Sequence, residues 1–395
     1  MIRYGLIGRT GFVDITALTS QFFGAYAAPP LTVSEVDALP EVVSSELMGT
    51  GNIGIGPGAL ANMSNGGVNV AIGNDALGAA QHEAYSVAIG WGALALSEGY
   101  ENTAVGYRVL KANSSGIQNA GIGAVVLYNN TTGSYNTGLG SHAMVGNTTG
   151  FGNTAAGYSA LFTGTIGIGN CAYGVSALYF NNGDSNCAFG YEALKENTSG
   201  IRNVAVGRSS LRKLVGSSNV AVGYGTGEAA SLTASGLTLL GHQAGGALTG
   251  AANQNLMVGY QSGLLATTGI GNVLIGASQQ VDSYTQVTTG SRNVSIGYDV
   301  AVPSPTDDYQ LCITNFIYGT AMSGTGATLS PGKLGLGVKA PETVLHLSGP
   351  ITINPSTAPA SPTESGAVVI YVDSGDGNKL KAKASNGTVA TLLTP

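Results

Sequence analysis

Asn203-Val204-Ala205-Val206-Gly207 occurs many times over in this chain. Asn69-Val70-Ala71-Ile72-Gly73, Asn102-Thr103-Ala104-Val105-Gly106 and Asn219-Val220-Ala221-Val222-Gly223 are versions of the same five residues. The closing glycine falls at Gly56, Gly73, Gly90, Gly106, Gly123, Gly140, Gly157, Gly174, Gly190, Gly207, Gly223, Gly241, Gly259, Gly276 and Gly297. Neighbouring glycines stand 16 to 18 residues apart, with a single longer step of 21 at the end. A near-constant period over fifteen copies marks a solenoid whose units pack on their neighbours.

With the five residues numbered one to five, position two is mostly Val, Thr, Ile, Leu or Cys, and position four is mostly apolar. β-Branched residues favour strand over helix. Alternate residues of a strand share a face, so positions two and four are expected to point together into the coil. The other face carries Asn, then Ala or Gly, then Gly. Small residues in register admit a close backbone, and a threefold axis would supply one. On this reading Asn69, Ala71, Gly73, Asn203, Ala205, Gly207, Asn219, Ala221 and Gly223 pack chain against chain in a homotrimer, and the stacked Asn side chains hydrogen-bond along the array as amide ladders do.

Further on, each unit carries Ala-Leu or a relative, as in Ala76-Leu77, Ala93-Leu94 and Ala193-Leu194, then a polar corner such as Asn130-Thr131-Thr132-Gly133. The Leu is a second inward anchor, and the Asn-Gly corner is turn chemistry. The expected fold is all-β: a repetitive β-solenoid, a parallel β-roll with coils of about 17 residues. Fifteen coils at about 4.8 Å each make a rod about 70 Å long. From Leu239 through Met257 to Leu274, position three becomes large, which predicts a wider rod there.

Four segments follow. Residues 1–50 do not repeat and read as an N-terminal attachment segment; 51–298 are the repeat shaft; 299–331, opened by Pro303-Ser304-Pro305, are an irregular connector; 332–395 are a small β tip domain.

Composition narrows the function. Charged residues make up 9 % of the chain and apolar residues 43 %, whereas disordered chains are charged and poor in apolar residues. The net charge is −6 and the basic residues form no cluster, which argues against nucleic acid as a partner. No run approaches the roughly 18 apolar residues of a membrane helix, so no membrane insertion is expected. The N-terminus, Met1-Ile2-Arg3-Tyr4-Gly5, does not read as a secretory signal.

Asn69 to Gly73 resembles the repeat of the β-roll head domains of trimeric autotransporter adhesins. Asn102 to Gly116 and Asn186 to Gly200 resemble the longer unit of glycine-rich phage tail-fibre proteins. Leu334-Gly335-Leu336-Gly337, with Pro341 and Leu345-His346-Leu347, is similar to a segment that follows the shaft in phage fibres. Adhesins of the first kind also need a signal peptide, a coiled-coil stalk and a membrane barrel, which are not seen here, so the phage resemblance is preferred. It implies a non-enzymatic virion fibre exposed on the particle surface: a rigid trimeric shaft carrying adhesion to a host glycan or protein, joined to other virion proteins through residues 1–50. A capsid fibre or decoration protein and a polysaccharide-degrading tailspike are the alternatives.

Chemistry-bearing motifs reduce to structural readings. Gly54-Ile55-Gly56-Pro57-Gly58 is one repeat among many, not a phosphate loop. The histidines lie far apart, Asp373 to Asn378 reads as a hairpin turn in preference to a calcium loop, and acids inside the array occur singly. No catalytic residue, cofactor or metal site is expected. Cys171 and Cys187 fill position two of adjacent coils and read as small apolar filler. An ice-binding array is disfavoured because position two has Thr only at Thr103, Thr137, Thr154 and Thr238 and is expected to point inward. Position six carries Trp91, Tyr107, Tyr158, Tyr191, Tyr224, Tyr260 and Tyr298, candidate surface-contact aromatics that would otherwise cover the coil below.

Overall fold

In a computed structural model, the chain is a parallel β-solenoid with no helix among the described residues. The structure describes residues 42–43, 51–229, 232–277, 287–300, 302–314, 317–320, 333–336, 345–347, 355–356, 368–377 and 379–393. The predicted attachment segment therefore lies almost wholly outside the described residues, apart from β1 (Val42–Val43), which pairs antiparallel with β2 (Ile53–Ile55).

The solenoid strands each span positions two to four of one repeat, as in Val70–Ile72, Thr103–Val105 and Val204–Val206. Each pairs parallel and in register with the next, so Ala188 sits over Ala172 and under Ala205. The series runs one rung beyond the sequence reading. Leu311–Ile313 stacks parallel on Val294–Ile296, inside the predicted connector. Gln310 stands there for Asn and Thr314 for Gly, which disguises the repeat. Gln310 still donates its backbone N–H to Asn293 Oδ1 at 2.8 Å, as the asparagines do.

The faces are the reverse of the expectation. Ala71, Ala205 and Ala221 at position three are 0 % exposed, whereas Val204 and Val220 at position two are 36 % and 43 % exposed. Asn69, Asn203 and Asn219 are fully buried too. Small residues line the inside because the coil is too narrow for more; the β-branched residues form its outer wall.

Position-five glycine has a different partner from the one expected. A Cβ on Gly73 would stand 2.8 Å from the carbonyl carbon and oxygen of Gly90, the equivalent residue one coil on. The close backbone is therefore the next coil of the same chain. Gly73 also sits at φ 126°, which L side chains rarely adopt.

The interior is completed by the leucines at position nine. Leu60, Leu77, Leu94, Leu110, Leu127, Leu178 and Leu194 are all 0 % exposed, so the second inward anchor is where the sequence placed it. These leucines are left-handed, at φ near 50°, as are Arg108 and Gln118 at other corners. Each such residue costs about 1–2 kcal/mol. Stacking offsets this: Arg108 N–H donates to Trp91 O at 2.9 Å one coil back, Leu110 N–H to Val126 O at 3.0 Å one coil on, and Gln118 N–H to Tyr100 O at 3.1 Å. Corners are thus satisfied along the rod axis instead of within a local turn.

The rod does not widen beyond Gly223 by separating backbones. Leu239, Met257 and Leu274 point inward and are buried. They take the space of the position-nine leucine, which is Gly245 in the coil of Leu239 and Gly263 in that of Met257, while Gly227 lies one coil before Leu239 and faces it. A Cβ on Gly245 would lie 3.0 Å from Leu239 Cδ2. Bulk has moved across the core, from one wall to the other.

Past the last rung, Ile317–Thr320 turns antiparallel against Leu311–Ile313 and is followed by Lys333–Leu336 and Leu345–Leu347. A separate sheet joins Pro355–Ser356, Val368–Asp373, Lys379–Ala384 and Val389–Leu393.

Candidate functional site

The interior is a hydrogen-bonded amide column, and no reactive cleft opens into it among the described residues. Asn119 Nδ2 donates to Gly133 O at 2.9 Å across the coil and to Asn102 Oδ1 at 3.2 Å along the rod. A second column runs beside it, with Asn130 Nδ2 on Asn113 Oδ1 at 2.8 Å and Asn147 Nδ2 on Asn130 Oδ1 at 2.7 Å. The expected ladder exists, inside each chain. It satisfies buried amides that would otherwise cost about 1–3 kcal/mol each.

The pattern changes where the coil begun by Asn69 meets the next. Ala80 replaces the second-column Asn, Ser86 the first-column Asn and Glu83 the corner Gly. The shortened neighbours make room for the Glu83 side chain, which is 0 % exposed. Its Oε1 accepts from the Ser86 hydroxyl and, at 3.5 Å, from Asn102 Nδ2, while its Oε2 has no hydrogen-bond partner. Burial pushes the carboxyl up to about 6, opposed by Ser86, Ser97 and Asn102 and helped slightly by the charge of Glu98. Nothing in the periodicity marks Glu83 beyond its being an acid in a glycine column. Sequence reasoning missed it.

On the outside, the position-six column is a stack. Trp91 and Tyr107 lie face to face at 5.0 Å, with the Arg108 guanidinium 4.4 Å from the Trp91 ring centre. Tyr224, His242 and Tyr260 stack at 5.2 and 5.1 Å, and Arg208 bridges Tyr191 and Tyr224 at 5.3 and 5.8 Å. Within these runs the ring faces meet one another and the edges meet solvent. Tyr158 contacts His142 at 5.7 Å, and Tyr298 is exposed. The structure thus brings Trp91 with Tyr107, and Tyr191 with Tyr224 and Tyr260; Tyr158 and Tyr298 stand apart from both runs.

The second exterior feature is the apolar wall. Positions two and four expose Ile53, Ile122, Leu139, Tyr173, Phe189, Val204, Val220, Leu240 and Ile275 along the whole shaft. This wall, and not the set Asn69, Ala71, Gly73, Asn203, Ala205, Gly207, Asn219, Ala221 and Gly223, is the strand face open to another chain. The threonines of position two are on it too, so their supposed inward orientation does not exclude ice binding. Their interruption by Val, Cys and Leu rungs, with the rings of Tyr173 and Phe189 beside them, still breaks the flat array such binding needs.

Acid–base chemistry is poorly served. Glu192 and Glu196 both reach Arg212, at 2.9 and 3.9 Å, and Lys195 lies 2.7 Å from Glu192. The Lys195 hydrogen bond holds the Glu192 carboxyl below its ordinary value, which suits an ion pair and not a general acid. In the separate four-stranded sheet, Asp373 and Asp376 are bound by Lys381 at 2.8 and 2.6 Å, so that turn carries its own cation. Among the described residues no cluster of three or more metal-ligating side chains occurs, and no helix is long and apolar enough to cross a membrane. No protein-family model, curated protein or solved structure matches the chain.

Proposed function

We propose that the chain is the shaft of a virion fibre, a phage tail fibre, in which three copies associate along their apolar walls and present an adhesive region to the host surface. The observation that carries this reading is the outward strip of Ile, Val, Leu and aromatic residues at position four, interrupted at Ala156, with Val, Thr and Cys beside it at position two. About fifteen inter-strand steps of about 4.8 Å, two residues wide, make it roughly 70 Å by 7 Å, on the order of 500 Å². That is at the upper end of what monomers leave exposed, and such patches mark contact surfaces. Three copies would also multiply weak contacts at the adhesive end into useful avidity. The role is mechanical: stacked coils with an amide-laddered core give a stiff rod.

Sedimentation of the purified full-length chain tests the assembly, and competition by that chain for particle attachment to host cells tests the adhesion. The reading expects a threefold rod and inhibited attachment. A stable monomer at micromolar concentration, or undisturbed attachment, would sink it. Labelling of intact particles with an antibody against the chain separates a tail fibre from a capsid fibre. Release of reducing ends from host polysaccharide would favour the tailspike alternative.

A further inference from the structure

Position two of the outer wall carries Val, Thr, Ile, Leu or Ala on most rungs, but Cys171 and Cys187 on two consecutive ones. Their strands, Cys171–Tyr173 and Cys187–Phe189, pair parallel with Cys187 directly opposite Cys171. In-register neighbours lie about 4.8 Å apart with side chains pointing the same way. That spacing falls within the 4.4–6.8 Å Cα range that a disulfide spans. Both thiols are free and half-buried. Two residues on, Tyr173 and Phe189 stack at 4.9 Å and 4°, walling one side of the pair. A half-shielded sulfur with a second cysteine in register on the next rung is the arrangement of a nucleophile and its resolving partner.

We propose that Cys171 and Cys187 form a reversible redox pair, closing an intrachain disulfide between consecutive rungs by exchange with a small disulfide such as oxidised glutathione. One cysteine loses its proton, and its sulfur attacks the small disulfide. This releases one small thiolate and leaves a mixed disulfide on the protein. The second cysteine, losing its proton, attacks the protein sulfur of that mixed disulfide and releases the second small thiolate. The protein pair gives up two electrons and two protons, and the small disulfide becomes two small thiols. Burial and the adjacent Cys171 push the Cys187 thiol up, so exchange is faster in mild alkali than at neutral pH. The staple would tie two coils at mid-shaft and be undone by reductant. The chemistry needs only one chain, and because the pair lies on the wall proposed to join copies, the staple closes in the unassociated chain.

Incubating the full-length protein, diluted below association, with oxidised glutathione at about pH 8.5 tests this, because exchange runs through the thiolate and alkali increases its share. Of the three cysteines, Cys312 is fully buried and serves as internal control. The expected result is a loss of two titratable thiols after denaturation, a 171–187 cross-link in peptide maps, and a band that stays monomeric without reductant. Cys171→Val, which uses a residue common in this column, should instead retain a glutathione adduct at Cys187. All three thiols remaining, a persistent mixed disulfide in the unmodified sequence, or links between chains would overturn the proposal.

Discussion

Asn119 gives both its backbone N–H, at 3.0 Å, and its side-chain Nδ2, at 3.2 Å, to the single Oδ1 of Asn102 one coil earlier. The same double contact joins Asn136 to Asn119 and Asn153 to Asn136. Each amide therefore fixes the height of the next coil, and register propagates along the rod through side chains as well as backbone. Asn136→Ala should leave the buried Asn153 N–H without its acceptor and the Gly150 carbonyl with only Asn147 Nδ2, at 3.3 Å. A destabilisation of about 1–3 kcal/mol follows from one such orphaned group. Chemical denaturation read by circular dichroism measures it, and hydrogen exchange should place the loss around residues 119–153.

The two faces of one strand give opposite outcomes. Val204→Asp with Val220→Asp alters the outer wall, so the coils should fold and the proposed association should fail. Ala205→Leu with Ala221→Leu puts two large side chains where exposure is 0 %, and should disrupt the coils themselves. Circular dichroism and sedimentation on both pairs check this. A folded, associated Ala205→Leu/Ala221→Leu variant would contradict the inward assignment.

The exchange of bulk across the core can be reversed by mutation. Gly245→Leu alone should overpack against Leu239 and Met257 and cost about 1–3 kcal/mol. Leu239→Ala with Gly245→Leu restores the arrangement of the earlier coils and should recover most of that loss. The backbone permits it, because Leu110 holds φ 53° at the equivalent site and Gly245 holds 61°. Equal instability of the single and double variants would show that the two positions do not share one space.

Backbone conformation at position five is less forgiving than at the corners. Gly106→Ala adds a methyl against the Gly123 carbonyl at φ 131° and should prevent stacking of that coil, seen as loss of soluble folded protein. Gln118→Gly relieves a left-handed side-chain residue at φ 54° and should be neutral to stabilising by up to about 1 kcal/mol. Thermal melts of the two variants give the comparison.

Glu83 makes the rod pH-sensitive. Its folded value of about 6 lies above the ordinary 4.5, so the folded state holds the proton more tightly than the unfolded chain. The resulting stability is fully present below about pH 4.5 and is lost as pH rises through 6. The difference of about 1.5 units corresponds to on the order of 2 kcal/mol. Nearby, Glu98 faces the same coil from outside and holds the His82 ring at 3.2 Å. Denaturation midpoints at several pH values should therefore fall towards neutrality, and Glu83→Gln should flatten this dependence. An unchanged slope in Glu83→Gln, lost instead in Glu98→Gln, would assign the effect to the outer pair.

The period of about 17 residues, the strand at Val204 to Val206, the position-nine leucines and the asparagine ladder were all legible from the linear chain. They depend on local rules: residue spacing, β-branching, turn chemistry and the need to pair buried amides. Which strand face looks inward was not legible. Alternation divides Asn203, Ala205 and Gly207 from Val204 and Val206, but it assigns neither set to the core. That choice came from the width of the closed coil, which has room for Ala205 opposite Leu211 and none for a row of valines. Likewise the juxtaposition of Cys171 with Cys187, the stacked rings of Tyr224, His242 and Tyr260, and the enclosure of Glu83 arise only when residues 16 to 18 apart in sequence are laid one above another. Contacts at that separation belong to the stacking of coils, and the order of residues within one coil does not contain them.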